Sequence, residues 1–223
     1  SSTHQETRPW HLAASIESDL SLLATANRLP AAVQTSETAV GDRWLSKVLG
    51  EALTNSVSPP RSLGVEDSGH IVMPTPHPHK GGEWALVGDG AATLVAYLLA
   101  RSNGGESNQM VRGWKQRRSV KGVDRSLWNG TNMLADEIEA MARSFFEQQG
   151  NLQHWNRHGL EGEPNLMLVS FELNGHPGSL GVRNSGTQAK ISVSLRLSPN
   201  IEAHDAPLLI EAITHHLDAK MKA

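Results

Sequence analysis

The alternation of side chains near the carboxyl end constrains the fold of this 223-residue chain most strongly. From position 191 to 198, apolar and polar residues alternate with a period of two. The apolar set is Ile191, Val193, Leu195 and Leu197, and the polar set is Ser192, Ser194, Arg196 and Ser198. This pattern predicts a strand in a half-buried antiparallel sheet. The strand follows directly on the loop 181–190, so the sheet can hold that loop rigid.

That loop contains the run Arg-Asn-Ser-Gly-Thr, which offers donors suited to an anion. Arg183 carries a planar fork that matches phosphate geometry. Ser185 and Thr187 add hydroxyl groups, and Gly186 lets backbone N–H groups approach closely. Because the same residue types also build ordinary exposed turns, the residues alone leave both a phosphate-binding loop and a plain turn open.

Composition excludes several classes of protein. A formal net charge of -3 gives no field that would gather nucleic acid or an anionic membrane. The longest apolar run, near Ala91 to Ala100, is too short to cross a bilayer. The chain has no cysteine, which fits the cytosol. We therefore expect a cytoplasmic protein that binds neither nucleic acid nor membranes.

Strands and helices alternate in the first half, which predicts an α/β domain, a mixed sheet with flanking helices, over residues 1–110. The predicted elements are a strand at 10–16, a helix from Asp19 to Pro30, a strand at 31–35, a helix from Asp42 that ends before Ser58, and a helix at 91–101. His77 and His79 suggest a metal, but without a third ligand they predict a surface loop instead. No metal site is expected on this chain.

Residues 111–130 lack periodicity and are rich in Arg and Lys, so they are predicted to be a basic linker. A nucleic-acid patch is the alternative, which the acidic balance elsewhere disfavours. Residues 131–223 predict a smaller α+β domain, an antiparallel sheet with two helices. Its elements are a helix from Thr131, a strand at 166–173, a turn at Asn174-Gly175, the strand from Ile191 and a last helix from Asp205.

Three motifs resemble those of the alpha-D-phosphohexomutases, the superfamily of phosphomannomutase, phosphoglucomutase and phosphoglucosamine mutase. The segment 183–190 resembles their phosphate-binding loop Arg-x-Ser-Gly-Thr-Glu-Pro-Lys, with Gln188 and Ala189 in place of Glu-Pro. The segment 40–44 resembles Val-Gly-Asp-Arg-Tyr. The segment 64–70 resembles the sugar-binding loop Gly-Gly-Glu-x-Ser-Gly-His, with Val65 in place of the second Gly. The motifs occur in the family's order.

The resemblance implies roles for particular residues. It assigns the phosphate to Arg183, Asn184, Ser185, Gly186, Thr187 and Lys190, and the sugar to Glu66, Ser68, Gly69, Asp42 and Arg43. Glu66 and Ser68 would hold the 3- and 4-hydroxyls, and His70 would transfer a proton or contact phosphate. From the residues alone, a solvated turn at 66–70 and a simple helix N-cap by Asp42 also remain open.

The resemblance covers roughly residues 10–220 and corresponds to domains 3 and 4 of a four-domain enzyme. The family's phosphoserine loop and its Asp-Gly-Asp-Gly-Asp-Arg metal loop do not occur in this sequence. The catalytic serine and Mg²⁺ are therefore expected outside this chain, on an N-terminal half (domains 1 and 2) that is upstream sequence or a separate chain. A hexose bisphosphate would be the activator.

The resemblance implies an enzyme that interconverts hexose 1-phosphate and hexose 6-phosphate through a phosphoserine and a bisphosphate intermediate. This chain would supply sugar and phosphate binding, because positioning and charge stabilisation carry most of phosphoryl-transfer catalysis. The alternative is a non-catalytic phosphosugar-binding or regulatory module.

Overall fold

Two five-stranded sheets organise the chain, one in each of two compact units. The computed structural model describes residues 8–29, 32–55, 61–103, 111–186 and 188–222. The first unit comprises residues 1–18 and 22–110, and the second comprises residues 19–21 and 111–223. None of the described helices is both long and apolar enough to cross a membrane.

The first unit is built on a mixed sheet in the order β2-β1-β3-β4-β5. Its strands are β1 (Trp10–Ser15), β2 (Val33–Thr38), β3 (Arg61–Val65), β4 (Ile71–Pro76) and β5 (Trp84–Gly88). The helices in this half of the chain are α1 (Leu20–Ala26), α2 (Asp42–Thr54) and α3 (Gly90–Asn103). β1 runs parallel to both β2 and β3, whereas β4 is antiparallel to β3 and β5.

Helix α2 packs on this sheet through one apolar face. Leu45, Leu49 and Leu53 are buried at a spacing of four residues, which places them on one side of the helix. Gly64 of β3 lies directly beneath them, where an added Cβ would stand 3.1 Å from the Leu45 Cβ. A larger residue at 64 would push Leu45 outward, so glycine at this position allows α2 to pack closely on β3.

His11 on β1 is a buried histidine in the first unit, with 6% of its surface exposed. Its Nε2 lies 2.9 Å from the Ser36 hydroxyl, and its Nδ1 is buried without a hydrogen-bond partner among the described residues. Burial lowers the pKa of His11 below its usual value, because the charged imidazolium loses hydration. The folded state therefore holds this side chain neutral.

We expect the first unit to lose stability as the pH falls below about 6.5, the usual pKa of an unfolded histidine. Because the folded pKa is lower, the unfolded chain binds the proton more tightly, so the free energy of unfolding rises with pH across this window. One such group contributes at most about 1.4 kcal/mol per pH unit. Urea unfolding at several pH values, followed by hydrogen exchange of β1 peptides, measures the slope.

The variant His11→Gln retains an amide that can bond Ser36 but cannot titrate, so its slope should be shallower than that of the wild type. His79→Gln, on the exposed loop between β4 and β5, controls for the loss of a histidine as such. Equal slopes in the wild type and His11→Gln would contradict the assignment.

The second unit is built on an antiparallel sheet in the order β6-β10-β9-β8-β7. Its strands are β6 (Trp114–Lys121), β7 (Leu152–His158), β8 (Leu166–Leu173), β9 (His176–Asn184) and β10 (Lys190–Leu197). Two long helices, α4 (Met133–Gln149) and α5 (Ala206–Met221), and a short 3-10 helix (Arg125–Leu127) complete it.

Both long helices bury an apolar stripe against this sheet. The buried residues of α4 are Ala135, Ile138, Ala142 and Phe146, and those of α5 are Ala206, Leu209, Ile210, Ile213, Leu217 and Met221. They form one core with the inward residues of the strands, including all four of the apolar set from 191 to 197. The hairpin between β8 and β9 turns on Asn174 and Gly175, both at positive φ, as a two-residue turn requires.

Two sheets with flanking helices, mixed in the first unit and antiparallel in the second, confirm the coarse prediction of the fold. In place of the predicted linker 111–130, the chain forms β6 and the 3-10 helix. The sequence did not predict β6. This edge strand has mostly exposed polar side chains and only one buried residue, Val120, so it shows no apolar alternation. The polar side of β10 is less exposed than its pattern predicts, since Arg196 is 3% exposed and donates to the Ser179 hydroxyl.

Candidate functional site

The turn between β3 and β4 holds the residues that the sequence assigns to sugar binding. The Glu66 N–H donates to the His70 carbonyl at 3.0 Å, and the Gly69 N–H donates to the Glu66 carbonyl at 3.0 Å. Gly69 has a φ of +88°, a conformation that a residue with a side chain rarely adopts. The turn is therefore closed by its own backbone, and the side chains at 66, 68 and 70 start from fixed positions.

Glu66 is the most enclosed of these side chains, with 9% of it exposed. Its Oε1 accepts a short hydrogen bond from the backbone N–H of Gly41, and its Oε2 accepts from the Ser68 hydroxyl at 3.1 Å. Gly41 directly precedes α2, so the carboxylate lies at a helix N-terminus, where a negative charge is favoured. Glu66 is thereby held in one orientation by groups from two elements.

His70 and Asp42 form a second contact at the same turn. The His70 Nδ1 lies 3.3 Å from the Asp42 Oδ1 and 3.9 Å from the Glu66 Oε2, and 64% of the imidazole side chain is exposed. When Nδ1 carries the proton, it donates to Asp42 and leaves Nε2 as a proton acceptor. This pairing of a carboxylate with an imidazole is one that general acid–base chemistry uses.

The simpler interpretation of the sequence made Asp42 the N-cap of α2, and the structure places Gly41 there instead. Gly41 has no side chain that could cap the helix. Asp42 lies in the first turn, with its carboxylate toward His70. Space for that carboxylate depends on Gly88, where an added Cβ would stand 2.8 Å from the Asp42 Oδ2. Arg43 lies apart from this contact, with its guanidinium 5.0 Å from the Trp44 ring centre.

Among the described residues, Asp42, Glu66 and His70 are close enough to share a metal ion, since their ligand atoms lie within 4.8 Å of one another. The set does not fit Mg²⁺, which prefers oxygen ligands in an octahedron and retains several waters. Each oxygen of Glu66 accepts one hydrogen bond and keeps a second lone pair. The arrangement provides fixed acceptors for hydrogen bonds from hydroxyl groups.

The predicted phosphate loop lies between β9 and β10 in the second unit, and its backbone closes on itself. The Ser185 N–H donates to the Lys190 carbonyl at 2.9 Å, and the Lys190 N–H donates to the Gln188 carbonyl at 2.8 Å. The Ser185 hydroxyl accepts from the Gln188 N–H at 3.3 Å. Gly186 is exposed, and Thr187 lies outside the residues that the structure describes.

Arg125, which was predicted to lie in a linker, belongs to the 3-10 helix and contacts this loop. Its Nη1 donates to the carbonyls of Ser185, at 2.7 Å, and Gly186, at 3.2 Å. The Asn184 side-chain amide nitrogen donates to the carbonyls of Arg125 and Trp128, both at 3.0 Å. No sequence signal pairs residues 60 positions apart, so only the fold could reveal this contact.

Arg183, the predicted anchor of the clamp, lies against a carboxylate of its own unit. Its Nη1 donates to the Glu163 Oε1 at 3.2 Å, and the two side chains are 25% and 12% exposed. The prediction that Arg183 converges with the loop hydroxyls on one anion stays a prediction, and Glu163 is a competitor that the sequence did not indicate. An anion at Arg183 would have to displace or share with Glu163.

Two lysines lie opposite each other at the start of β10. Lys190 stands directly opposite Lys121 in the register of β10 with β6, on the same side of the sheet as Arg183. Like charges directly opposite each other are destabilising, and a bound anion would offset their repulsion. Lys121 of β6 and Arg125 of the 3-10 helix therefore lie next to the loop that joins β9 to β10.

No protein-family model matches this sequence, and no curated protein matches it. The geometry of the two loops therefore carries the functional argument.

Proposed function

We propose that this chain binds a hexose phosphate and supplies the sugar-binding and phosphate-binding loops of a phosphohexomutase. The turn 66–70 of the first unit would hold the sugar hydroxyls, and the loop 183–190 of the second unit would hold a phosphate. The phosphoserine and Mg²⁺ would come from an N-terminal half of the enzyme. The observation that carries the proposal is the fixed orientation of the Glu66 carboxylate.

Glu66 suits a sugar because its carboxylate is anchored but remains an acceptor. Each carboxylate oxygen has two lone pairs, and the bonds from Gly41 and Ser68 use one on each oxygen. The remaining capacity can accept from two adjacent hydroxyls, and the Ser68 oxygen adds a further acceptor two residues away. His70 beside them, held by Asp42, suits a proton transfer to or from the reacting hydroxyl.

The loop 183–190 suits a phosphate because it combines fixed backbone with cations. Arg125 donates to the carbonyls of Ser185 and Gly186, which ties the loop to the 3-10 helix. Lys190 and Lys121 bring two ammonium groups to the same edge. Several donors around one anion give charge-assisted hydrogen bonds, which are roughly twice as strong as neutral ones.

A non-catalytic phosphosugar-binding module is the second candidate, and the ion pair of Arg183 with Glu163 favours it. A mutase must hold phosphate firmly in two orientations of the sugar. A carboxylate that competes for the anchor weakens that grip, which a module of modest affinity would tolerate.

We expect Glu66→Gln to weaken binding of hexose 6-phosphate by about 10- to 100-fold, because a hydrogen bond to a charged group contributes about 1.5–3 kcal/mol. Inorganic phosphate should bind the variant as it binds the wild type, since Glu66 contacts only the sugar. Calorimetric titration of the full chain with both ligands tests this. Glu51→Gln, on the exposed side of α2, is the matched control. An equal loss for both ligands, or no loss for either, would refute the sugar-binding role.

Activity separates the two candidates. The chain is mixed with the N-terminal half of a phosphohexomutase and a hexose bisphosphate, and conversion of hexose 1-phosphate to hexose 6-phosphate is measured. Conversion that Glu66→Gln abolishes supports the enzyme, and calorimetric binding without conversion supports the module.

A further inference from the structure

A cavity of about 570 Å³ lies in the first unit between α3 and the sheet. Its volume falls within the range of small-molecule sites, which is about 300–1,000 Å³. The lining comes from Arg8 before β1, from the starts of β1, β3 and β5, from β4, from Leu53 at the end of α2, and from one side of α3. The turn 66–70 contributes no lining residue, so this is a second location, separate from the proposed sugar site.

Three of the four side chains that α3 contributes to the lining are small, and the fourth, Tyr97, is 59% exposed. The lining residues of α3 are Thr93, Ala96, Tyr97 and Ala100, at the spacing of one helical face, and two of the four are alanines. The large aliphatic residues of the helix lie elsewhere and are 55–57% exposed, namely Leu94, Val95, Leu98 and Leu99. A helix with the reverse pattern would fill the space with its own leucines.

Aromatic rings and arginines give the cavity its chemical character. Trp10, Trp84 and Tyr97 line it together with aliphatic side chains from β3 and β4. Arg8 and Arg61 also line it, and no acidic residue does among those described. The Arg61 guanidinium lies 5.6 Å from the Trp10 ring centre. An apolar space with two cations and no carboxylate is complementary to an apolar anion.

One polar atom in the wall lacks a partner. The Thr93 hydroxyl is buried and forms no hydrogen bond with any described residue. Burying a hydroxyl without a hydrogen bond is costly, so such atoms in native proteins usually meet a ligand or a water. This second observation is independent of the charge pattern and leaves a hydrogen-bond partner for a polar atom of a ligand in the wall of the cavity.

We propose that this cavity binds an aromatic carboxylate. The flat ring lies among Trp10, Trp84 and Tyr97, where ring contacts add to the burial of apolar surface. The carboxylate pairs with Arg61 and Arg8, for which a planar fork is well matched. The proposal does not depend on the mutase function, because it involves neither the turn 66–70 nor the second unit.

The probe for the test is 2-naphthoate, with 2-naphthamide as its neutral counterpart of the same shape. Binding to the full-length chain is followed by ligand-observed NMR titration. At about 0.3 kcal/mol per non-hydrogen atom, an acid of this size should bind with a Kd of about 1 mM or tighter. The amide should bind at least about tenfold more weakly, because it lacks the charge that the arginines recognise. Equal binding of the two probes, or binding of neither, overturns the proposal.

Two variants locate the site. Arg61→Gln should weaken the binding of 2-naphthoate by about tenfold or more and leave the binding of 2-naphthamide unchanged. Ala96→Phe should block both probes by filling the cavity, and Ala100→Phe serves the same purpose if Ala96→Phe does not fold by circular dichroism. Leu98→Phe, on the exposed side of the same helix, is the control. Undiminished 2-naphthoate binding in Arg61→Gln, or in a folded cavity-filling variant, overturns the proposal. Unchanged binding of hexose 6-phosphate in these variants would show that the two sites are independent.

Discussion

Phe146→Ala is expected to lower the free energy of unfolding of the second unit by about 3 to 5 kcal/mol, the range for truncating a buried aromatic residue. Phe146 is 1% exposed, and its ring centre lies 4.4 Å from that of Phe171 and 5.1 Å from that of Phe145. Phe171 stacks in turn on Trp155 at 5.3 Å. Removing one ring from this row leaves a cavity between α4 and the sheet that the neighbouring rings cannot close.

Urea unfolding monitored by hydrogen exchange of β8 and β9 peptides measures this loss within the second unit. The matched control is Phe145→Ala, the same substitution one residue earlier on the same helix. Phe145 packs against the core but remains partly exposed, so its truncation should cost clearly less. Equal losses at 145 and 146 would contradict the assignment of Phe146 to the centre of the core.

Arg183→Ala is expected to weaken binding of hexose 6-phosphate by about 1.5 to 3 kcal/mol, the range for hydrogen bonds to charged groups. This expectation rests on the proposed function. Arg183 lies near the carboxyl end of β9, next to the loop, and its side chain is 25% exposed and paired with Glu163. Calorimetry with hexose 6-phosphate measures the change, and unchanged affinity would refute the clamp.

The substitution Glu163→Gln tests whether Glu163 competes with phosphate for Arg183. Because Glu163 occupies the guanidinium, its neutralisation should tighten phosphate binding if the anion and the carboxylate compete. It should have no effect if Arg183 serves only as the partner of Glu163. Arg183→Ala alone leaves the Glu163 carboxylate, which is 12% exposed, without this partner. The double variant Arg183→Ala with Glu163→Gln avoids that unpaired charge. Its affinity should match that of Arg183→Ala.

The predicted helices and several strands follow from patterns that are local in sequence. The stripe of α4 and the alternation of β10 each place apolar residues on one face, and both elements occur where the pattern indicates. The turn at Asn174-Gly175 was equally predictable, because a two-residue hairpin needs positive φ at both positions. Such elements are specified by their own residues.

Other elements could not be predicted from local patterns. β3 and β4 are short strands between polar and proline-rich turns, and β6 is a polar edge strand, so none shows a clear period. Each becomes a strand because its neighbour in the sheet supplies the hydrogen bonds. The pairing of β6 with β10 joins residues 69 to 83 positions apart, so no local pattern around either strand indicates it.

The sequence by itself determined the alternation of β10, the apolar faces of α2, α4 and α5, and the tight turn at Gly69, since each depends on residues within a few positions of one another. Only the tertiary structure decided that Glu66 is anchored by Gly41, that Arg125 holds the loop at Ser185, and that Arg183 meets Glu163. These contacts join residues 20 to 60 positions apart. Their partners are chosen by packing and by the need to satisfy buried polar groups, which act across the whole unit.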